Sequence, residues 1–563
     1  MSPRECVAAW AVAFLLALTL MAADVLGLVG GGAVPYANGV GCDVWFYFSL
    51  VLSPESVAVM APSDSRFMTR PLYFAPVHLL KSLLPAIDIN VLSFLLFLPL
   101  ATAALYAGLR SMFAPPSAAL GAVLVGSTSL LITVMSSTFA TVASAAYSNV
   151  MLACLMWGGR LASPRLARSD LLFAAAGVFF VFAANAHLMA IKFNFLYVLF
   201  AVPVHLLSRP YGPAVTVVGR AAGLFLVGMV VGIAATLSLS GALGLGFFMP
   251  YRQIEVALRG IGDVHSAHWL HETHAFVLMG LLLMLSLWAV KRLRCRSGPE
   301  ARRLYLLLGI AAATCLFNLH AGLIVGDYNL VHDYFYFLLL PCVGLTFCAA
   351  FADRIDRAGK TAFLALGATL VGLNLLIAVV YELKTLLAYK NNYTAYAVLA
   401  AVAVGLFLLR RRPGVSWSVA LVAIGLHVAA DNTTRAHYLS ARVEDQAVAR
   451  TTERAIAFIF AHVRSQPIAW IAAADNHRLD LTIFRGLQRC DYEPSFPGRL
   501  PDRPEALAAG RTLIVIDGEA RPASRIQEAL APHGVGFEPV ASRYFPRGDV
   551  AKAGVQITIG TLR

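Results

Sequence analysis

Charge is what this sequence has least of. Only 13% of its 563 residues are Asp, Glu, Lys or Arg, against 59% hydrophobic, and the mean hydropathy is +0.72. Soluble domains carry roughly a quarter of their residues as charges, so a water-soluble surface is excluded and the chain belongs in lipid. Paired cysteines are missing as well. Cys6, Cys42, Cys154, Cys295, Cys315, Cys342, Cys348 and Cys490 include no CxxC spacing, which excludes a zinc ribbon or thioredoxin-like motif and leaves most of them as small apolar core residues. The apolar runs do not alternate with polar residues, so a transmembrane β-barrel is excluded too. No Gly-rich phosphate loop follows a strand-like run. No internal repeat of the kind built into many secondary transporters is visible.

What is present is a succession of apolar runs, each near the ~20 residues that a ~30 Å hydrocarbon core requires. Thirteen candidate spans fall at 8–29, 90–110, 117–137, 141–158, 171–186, 189–207, 221–246, 275–290, 304–325, 334–352, 361–381, 395–409 and 414–430. With the N-terminus inside, the inside segments hold 19 Lys and Arg, including Arg110, Arg160, Arg220, Arg302 and Arg303. The outside loops hold 8 and the tail the remaining 17. Loop Lys and Arg resist translocation, so this asymmetry predicts N-in and, with an odd number of spans, C-out. The net charge of +13 is therefore read as topogenic, with no nucleic-acid partner. The first run continues to Val29 without a convincing cleavage site and reads as a retained helix rather than a signal peptide.

The expected architecture is an all-α polytopic membrane domain over residues 1–431 and a small extracytoplasmic α/β domain over 432–563. The strand-like runs of the tail are Ile468–Ala474, Thr512–Ile516 and Val555–Ile559. A long first outside loop, 31–89, carries two interfacial stretches: Val44–Leu52, and Pro71–Leu84, which Pro71, Pro76 and Pro85 break too often to span.

That loop reads Gly41-Cys42-Asp43-Val44-Trp45-Phe46-Tyr47-Phe48-Ser49-Leu50, then Arg66-Phe67-Met68-Thr69-Arg70-Pro71-Leu72-Tyr73-Phe74-Ala75-Pro76. A carboxylate can take a proton from an attacking hydroxyl. Arginines hold phosphate and offset departing charge, and aromatics accommodate sugar faces and a polyprenyl chain. The structural alternative is that Asp43 caps a juxtamembrane helix and Arg66 and Arg70 lie among headgroups.

An acidic residue in the first outside loop, two interfacial stretches and an Arg-Pro-aromatic segment resemble the C-type membrane glycosyltransferases. The nearest likeness is to the branch of the protein O-mannosyltransferases and the lipid A aminoarabinose transferase. A second matching stretch, Val331-His332-Asp333-Tyr334-Phe335-Tyr336-Phe337-Leu338-Leu339-Leu340-Pro341, resembles the His-x-Tyr-Tyr-x-x-Pro type segment at the outer end of a late span. The resemblance implies Asp43 as catalytic base, Arg70 as phosphate contact, and His332 and Tyr334 lining the cavity. From their positions in the outside loops, Arg66 is read as a second phosphate contact and Tyr47, Tyr73 and Lys192 as further cavity residues. It implies a polyprenyl-phosphate sugar as donor, a lipid, glycan or protein hydroxyl as acceptor, and residence in a bacterial inner membrane. Val44 departs from the pattern, because the family often has a second acid there.

The segment His265-Ser266-Ala267-His268-Trp269-Leu270-His271-Glu272-Thr273-His274 could hold a divalent metal through His265, His268, His271 and Glu272, which would help neutralise a phosphate leaving group. It is not the His-Glu-x-x-His arrangement, and the alternative is histidines bonded to headgroups. His187, Lys192 and Asn194, and separately Asn318, His320 and Asp327, gather at outside ends of spans, where ionisable groups border a cavity or reach water. Cys42 and Cys490 fall on one side under this topology, and a disulfide there would tie loop to tail. The rival function is a secondary transporter or flippase. Against it stand the missing repeat and an outside tail for which a transporter has no evident use.

Overall fold

The computed structural model describes residues 1–25, 43–60, 68–126, 131, 135, 140–162, 168–206, 211–252, 298–319, 337–357, 442–463, 468–473, 479, 483, 487, 509–518, 522–547 and 550–563. The described residues are mostly helical, with a small sheet near the C-terminus. In chain order the helices are α1 (Pro3–Val25), α2 (Asp43–Leu52), α3 (Pro54–Met60), α4 (Pro71–Leu83), α5 (Ile89–Arg110), α6 (Pro115–Gly126), α7 (Thr141–Leu161), α8 (Arg168–Ala186), α9 (Ala190–Ala201), α10 (Pro203–Leu206), α11 (Tyr211–Ala242), α12 (Gly298–Leu319), α13 (Leu340–Arg357) and α14 (Arg442–His462).

Among the described residues, α5 and the stretch Val215–Ala242 of α11 are long and apolar enough to cross a membrane. They differ in what surrounds them. Most of α5 is buried against other helices, whereas α11 leaves Val215, Leu226, Val227, Val230 and Val231 exposed. An apolar patch of that length is a surface made for lipid rather than water. The α8 and α11 backbones cross in direct contact at two glycines: a Cβ at Gly177 would lie 2.0 Å from the Phe225 carbonyl oxygen, and one at Gly228 would lie 1.9 Å from that of Ala174. Small residues at a crossing let two membrane helices approach this closely.

Several expected spans differ in detail. The run 189–207 is divided into α9 and α10 at Pro203, whose ring clashes with the carbonyl four residues back and which has no N–H to donate. α11 starts at Tyr211 rather than near 221, and the Arg220 it thereby takes in reaches Asp170 of α8 at 3.2 Å. The run 334–352 resolves into a 3₁₀ turn, Phe337–Leu339, followed by α13, which continues to Arg357 because its acidic residues are paired. Asp353 meets Arg303 at 2.6 Å, and Asp356 accepts from the Ser117 hydroxyl at 2.6 Å. The spans expected at 275–290, 361–381, 395–409 and 414–430 lie outside the described residues.

In the first-loop helices, Trp45 to Val51 of α2 and Pro71 to Ala75 of α4 are buried in protein, whereas Leu79 and Leu83 at the far end of α4 are exposed. The two ends of α5, separated by about 33 Å at 1.5 Å per residue, mark opposite faces. At one end Arg110 pairs with Glu5 of α1 at 2.5 Å. At the other, Asp88 accepts from Arg450 of α14 at 3.1 Å. The N-terminal segment and the tail helix therefore sit at opposite ends of the bundle.

The tail sheet has strand order β1-β2-β4-β3, formed by β1 (Ile468–Ala473), β2 (Thr512–Asp517), β3 (Phe537–Arg547) and β4 (Val550–Leu562). β1 and β2 are parallel, and the other pairs antiparallel. The short helix α15 (Ala523–Leu530) buries Ile526 and Leu530 against the sheet's second face. α14 packs on the other, with Phe458 against Phe545 at 5.6 Å and the Thr451 hydroxyl donating to the Pro546 carbonyl at 3.1 Å. α14 also reaches the first loop, where Lys81 meets Glu453 at 2.5 Å with both side chains largely buried.

Candidate functional site

The site grows from the two first-loop helices. α2 opens at Asp43, and Tyr47 follows one turn later, four residues along the same helical face. α4 opens after Arg70, because Pro71 fits the first helical position, where no N–H is needed. The fold then brings the two helix starts together. Nη1 of the half-buried Arg70 donates to the Tyr47 hydroxyl at 2.6 Å, and the guanidinium carbon lies 5.9 Å from the Tyr47 ring centre. Tyr47 and Tyr73 meet edge to face at 5.1 Å. Tyr73 stacks on Phe97 at 6.1 Å, and Phe97 meets Tyr147 edge-on at 6.1 Å. This aromatic column roots the loop in the helical bundle. Burial pushes the Tyr73 phenol well above its ordinary range, so it stays neutral.

Arg70 is held from both sides along the backbone. The Asn185 amide of α8 donates to the Thr69 carbonyl at 2.9 Å, and the Tyr147 hydroxyl of α7 donates to the Leu72 carbonyl at 3.0 Å. The peptide before Arg70 and the backbone two residues after it are thus tied to two bundle helices, and the Tyr47 hydroxyl holds the guanidinium, which is what preorganised recognition of an anion requires. Neither Asn185 nor Tyr147 was singled out from sequence. The available signal was weak: polar side chains within apolar spans, which are uncommon unless they have a partner.

His187, buried in the turn between α8 and α9, is close enough to Arg70 to feel its charge. Burial first, and Arg70 second, hold its imidazole well below the ordinary histidine range. Its Nδ1 accepts from the Met189 N–H at 3.3 Å, which fixes the ring as a neutral group. Lys192 stands in the first turn of α9 and is partly buried. On the same helix the Tyr197 hydroxyl donates to the Leu338 carbonyl. Leu338 belongs to the 3₁₀ turn that continues the His332–Tyr334 stretch, so α9 anchors the end of that second motif.

Of the residues singled out from sequence, Tyr47, Arg70 and Tyr73 are thus brought into contact, with His187 beside Arg70. Asp43 is placed by its backbone at the start of α2. Arg66, His332, Tyr334, His265, His268, His271 and Glu272 lie outside the described residues. Among the described residues no group of three or more His, Cys, Asp or Glu is gathered to hold a metal ion.

No protein-family model matches the chain, and no curated protein matches it. Among solved structures it is similar to ArnT from Cupriavidus metallidurans. The apo form is 16% identical over 98% of this chain and 97% of that one, with a TM-score of 0.47. The form bound to undecaprenyl phosphate is 14% identical over 99% and 98%, with a TM-score of 0.48. It is also similar to the Archaeoglobus fulgidus oligosaccharyltransferase AglB in complex with an inhibitory peptide and a dolichol-phosphate, 12% identical over 91% of this chain and 69% of that one, with a TM-score of 0.42.

Proposed function

We propose that this protein transfers a sugar from a polyprenyl-phosphate donor to an acceptor hydroxyl at the membrane face opposite its N-terminus. The observation that carries the reading is the state of Arg70. Its guanidinium is half-buried, hydrogen-bonded to Tyr47, and pinned through Thr69 and Leu72, one helix start away from Asp43. A fixed cation on an aromatic shelf, held by a tyrosine one helical turn after Asp43, suits a lipid-linked phosphate whose sugar faces a base.

In the proposed reaction Asp43 accepts the proton of the acceptor hydroxyl as its oxygen attacks the anomeric carbon from the face opposite the phosphate. The bond between that carbon and the phosphate oxygen breaks, its electron pair leaves with polyprenyl phosphate, and the anomeric configuration inverts. Arg70, assisted by Arg66, holds the phosphate and offsets the charge that develops on it. Lys192, His332, Tyr334, Tyr47 and Tyr73 line the cavity, and the 432–563 domain lies on the same side.

The test is binding of undecaprenyl phosphate to the purified protein and to Arg70→Ala and Arg70→Lys. Loss with Ala that Lys fails to restore is expected, because an ammonium lacks the planar fork. Equal binding by Lys would reduce Arg70 to a headgroup contact. Movement of an intact lipid-linked sugar across the bilayer, with no bond cleaved, would replace the reading with transport.

A further inference from the structure

A second feature lies at the other end of the bundle, beside the Glu5–Arg110 pair. Helices α1 and α8 stand apart there and leave an open groove of about 440 Å³, lined almost wholly by apolar atoms. Its floor is made of alanines: Ala103, Ala104 and Ala107 from α5, and Ala153 from α7. Trp10 of α1 and Trp157 of α7 also line it. The groove is rigid where it matters, because the Trp157 indole N–H donates to the Ala107 carbonyl at 2.6 Å.

The groove continues into a cationic head. The Arg160 guanidinium lies 5.0 Å from the centre of the Trp157 ring and donates to the carbonyls of Ser111 at 2.7 Å and Arg110 at 3.1 Å. Arg160 thereby stands over the tryptophan wall of the groove, beside Arg110, whose own charge is paired with the Glu5 carboxylate. A slot sized for a hydrocarbon chain that ends beside a guanidinium between membrane helices has the chemistry of an anionic-lipid site.

We propose that this groove holds one acyl chain of an anionic phospholipid of the surrounding bilayer, with the lipid's phosphate at Arg160. The charge at the mouth selects the lipid, and the alanine floor admits the chain without displacing side chains. The site is distinct from the Arg70 region and rests only on the chain lying in a bilayer, so it stands or falls separately from the reaction proposed above.

The two tryptophans in the groove supply the assay. The full-length protein is reconstituted in zwitterionic phosphatidylcholine nanodiscs containing brominated phosphatidylglycerol or, at equal mole fraction, brominated phosphatidylcholine, and tryptophan fluorescence is read. Brominated phosphatidylglycerol is expected to reach half-maximal quenching at an about fivefold lower mole fraction, the preference that one well-placed basic residue near the surface confers. Trp157→Phe should remove most of the excess, and Arg160→Gln should bring the two curves together. Coincident curves in the wild type would mean ordinary annular lipid and overturn the proposal, with no variant required. An excess that survives Arg160→Gln, or is unchanged in Trp157→Phe, would overturn it as well.

Discussion

Tyr47→Phe is the smallest change that separates a held Arg70 from one that is merely present. The substitution keeps the ring, its edge-to-face contact with Tyr73 at 5.1 Å and the guanidinium at 5.9 Å from the ring centre, and removes only the hydroxyl that accepts from Arg70 at 2.6 Å. A hydrogen bond to a charged group contributes about 1.5–3 kcal/mol, an upper limit of roughly 10- to 150-fold in any equilibrium that depends on the geometry it fixes. Part of that is retained, because the cation remains beside the ring, a contact worth about 0.5–1 kcal/mol. The expected result is therefore a rise of about 10-fold in donor KM, with acceptor KM unchanged. The assay varies donor and acceptor separately and follows thermal unfolding in parallel, since a purely structural role would lower Tm without separating the two KM values. Unchanged donor KM in Tyr47→Phe alongside a large rise in Arg70→Ala would show that the hydroxyl does not position the guanidinium.

Other expectations follow from the packing. Gly228→Ala forces a Cβ into the Ala174 carbonyl and should destabilise by about 1–3 kcal/mol, whereas Gly223→Ala on the same helix, where a Cβ meets nothing within 4 Å, should be neutral or stabilising; equal effects in denaturant titrations would refute the α8–α11 crossing. Lys81→Met strands the largely buried Glu453, whose carboxyl burial already pushes above the usual range, and should cost about 3 kcal/mol, most of it recovered by adding Glu453→Gln; a double substitution no better than the single would deny the pairing. His187 refuses a proton in the folded state that the unfolded chain accepts below about pH 6.5. Its contribution is therefore complete above that pH and lost as pH falls towards its depressed folded value, so Tm should drop on acidification more steeply in wild type than in His187→Gln; parallel Tm profiles would show that the folded chain lets this histidine take a proton and so does not bury it.

The parts legible in the sequence were those whose physics is local. Pro71 at a helix start and the apolar run behind it announced α4, and the β-branched runs around Ile468, Thr512 and Val555 announced three strands. β3 was not legible, because Pro539 and Pro546 argue against a strand. The structure keeps both at register shifts on the sheet's edge strand, where a missing N–H is tolerated. The burial of α2 and α4 was also hidden, because an apolar run reads alike whether lipid or protein covers it. At the site, Asp43, Tyr47, Arg70 and Tyr73 stood out through their neighbours in the chain. Tyr147 and Asn185 did not, since each acts on a backbone carbonyl 75 or 116 positions away, a relation that only the fold creates.

The central claim is that a carboxylate at the start of α2 takes a proton while Arg70 holds a lipid-linked phosphate. It is tested most directly by reconstituting wild type and Asp43→Asn in vesicles with labelled polyprenyl-phosphate sugars and measuring the polyprenyl phosphate released and the sugar joined to acceptor. The account predicts release and transfer in equal amounts by wild type, and a fall of about 10²–10⁴-fold with Asn while undecaprenyl phosphate still binds. Asp43→Asn turnover within a fewfold of wild type would contradict it.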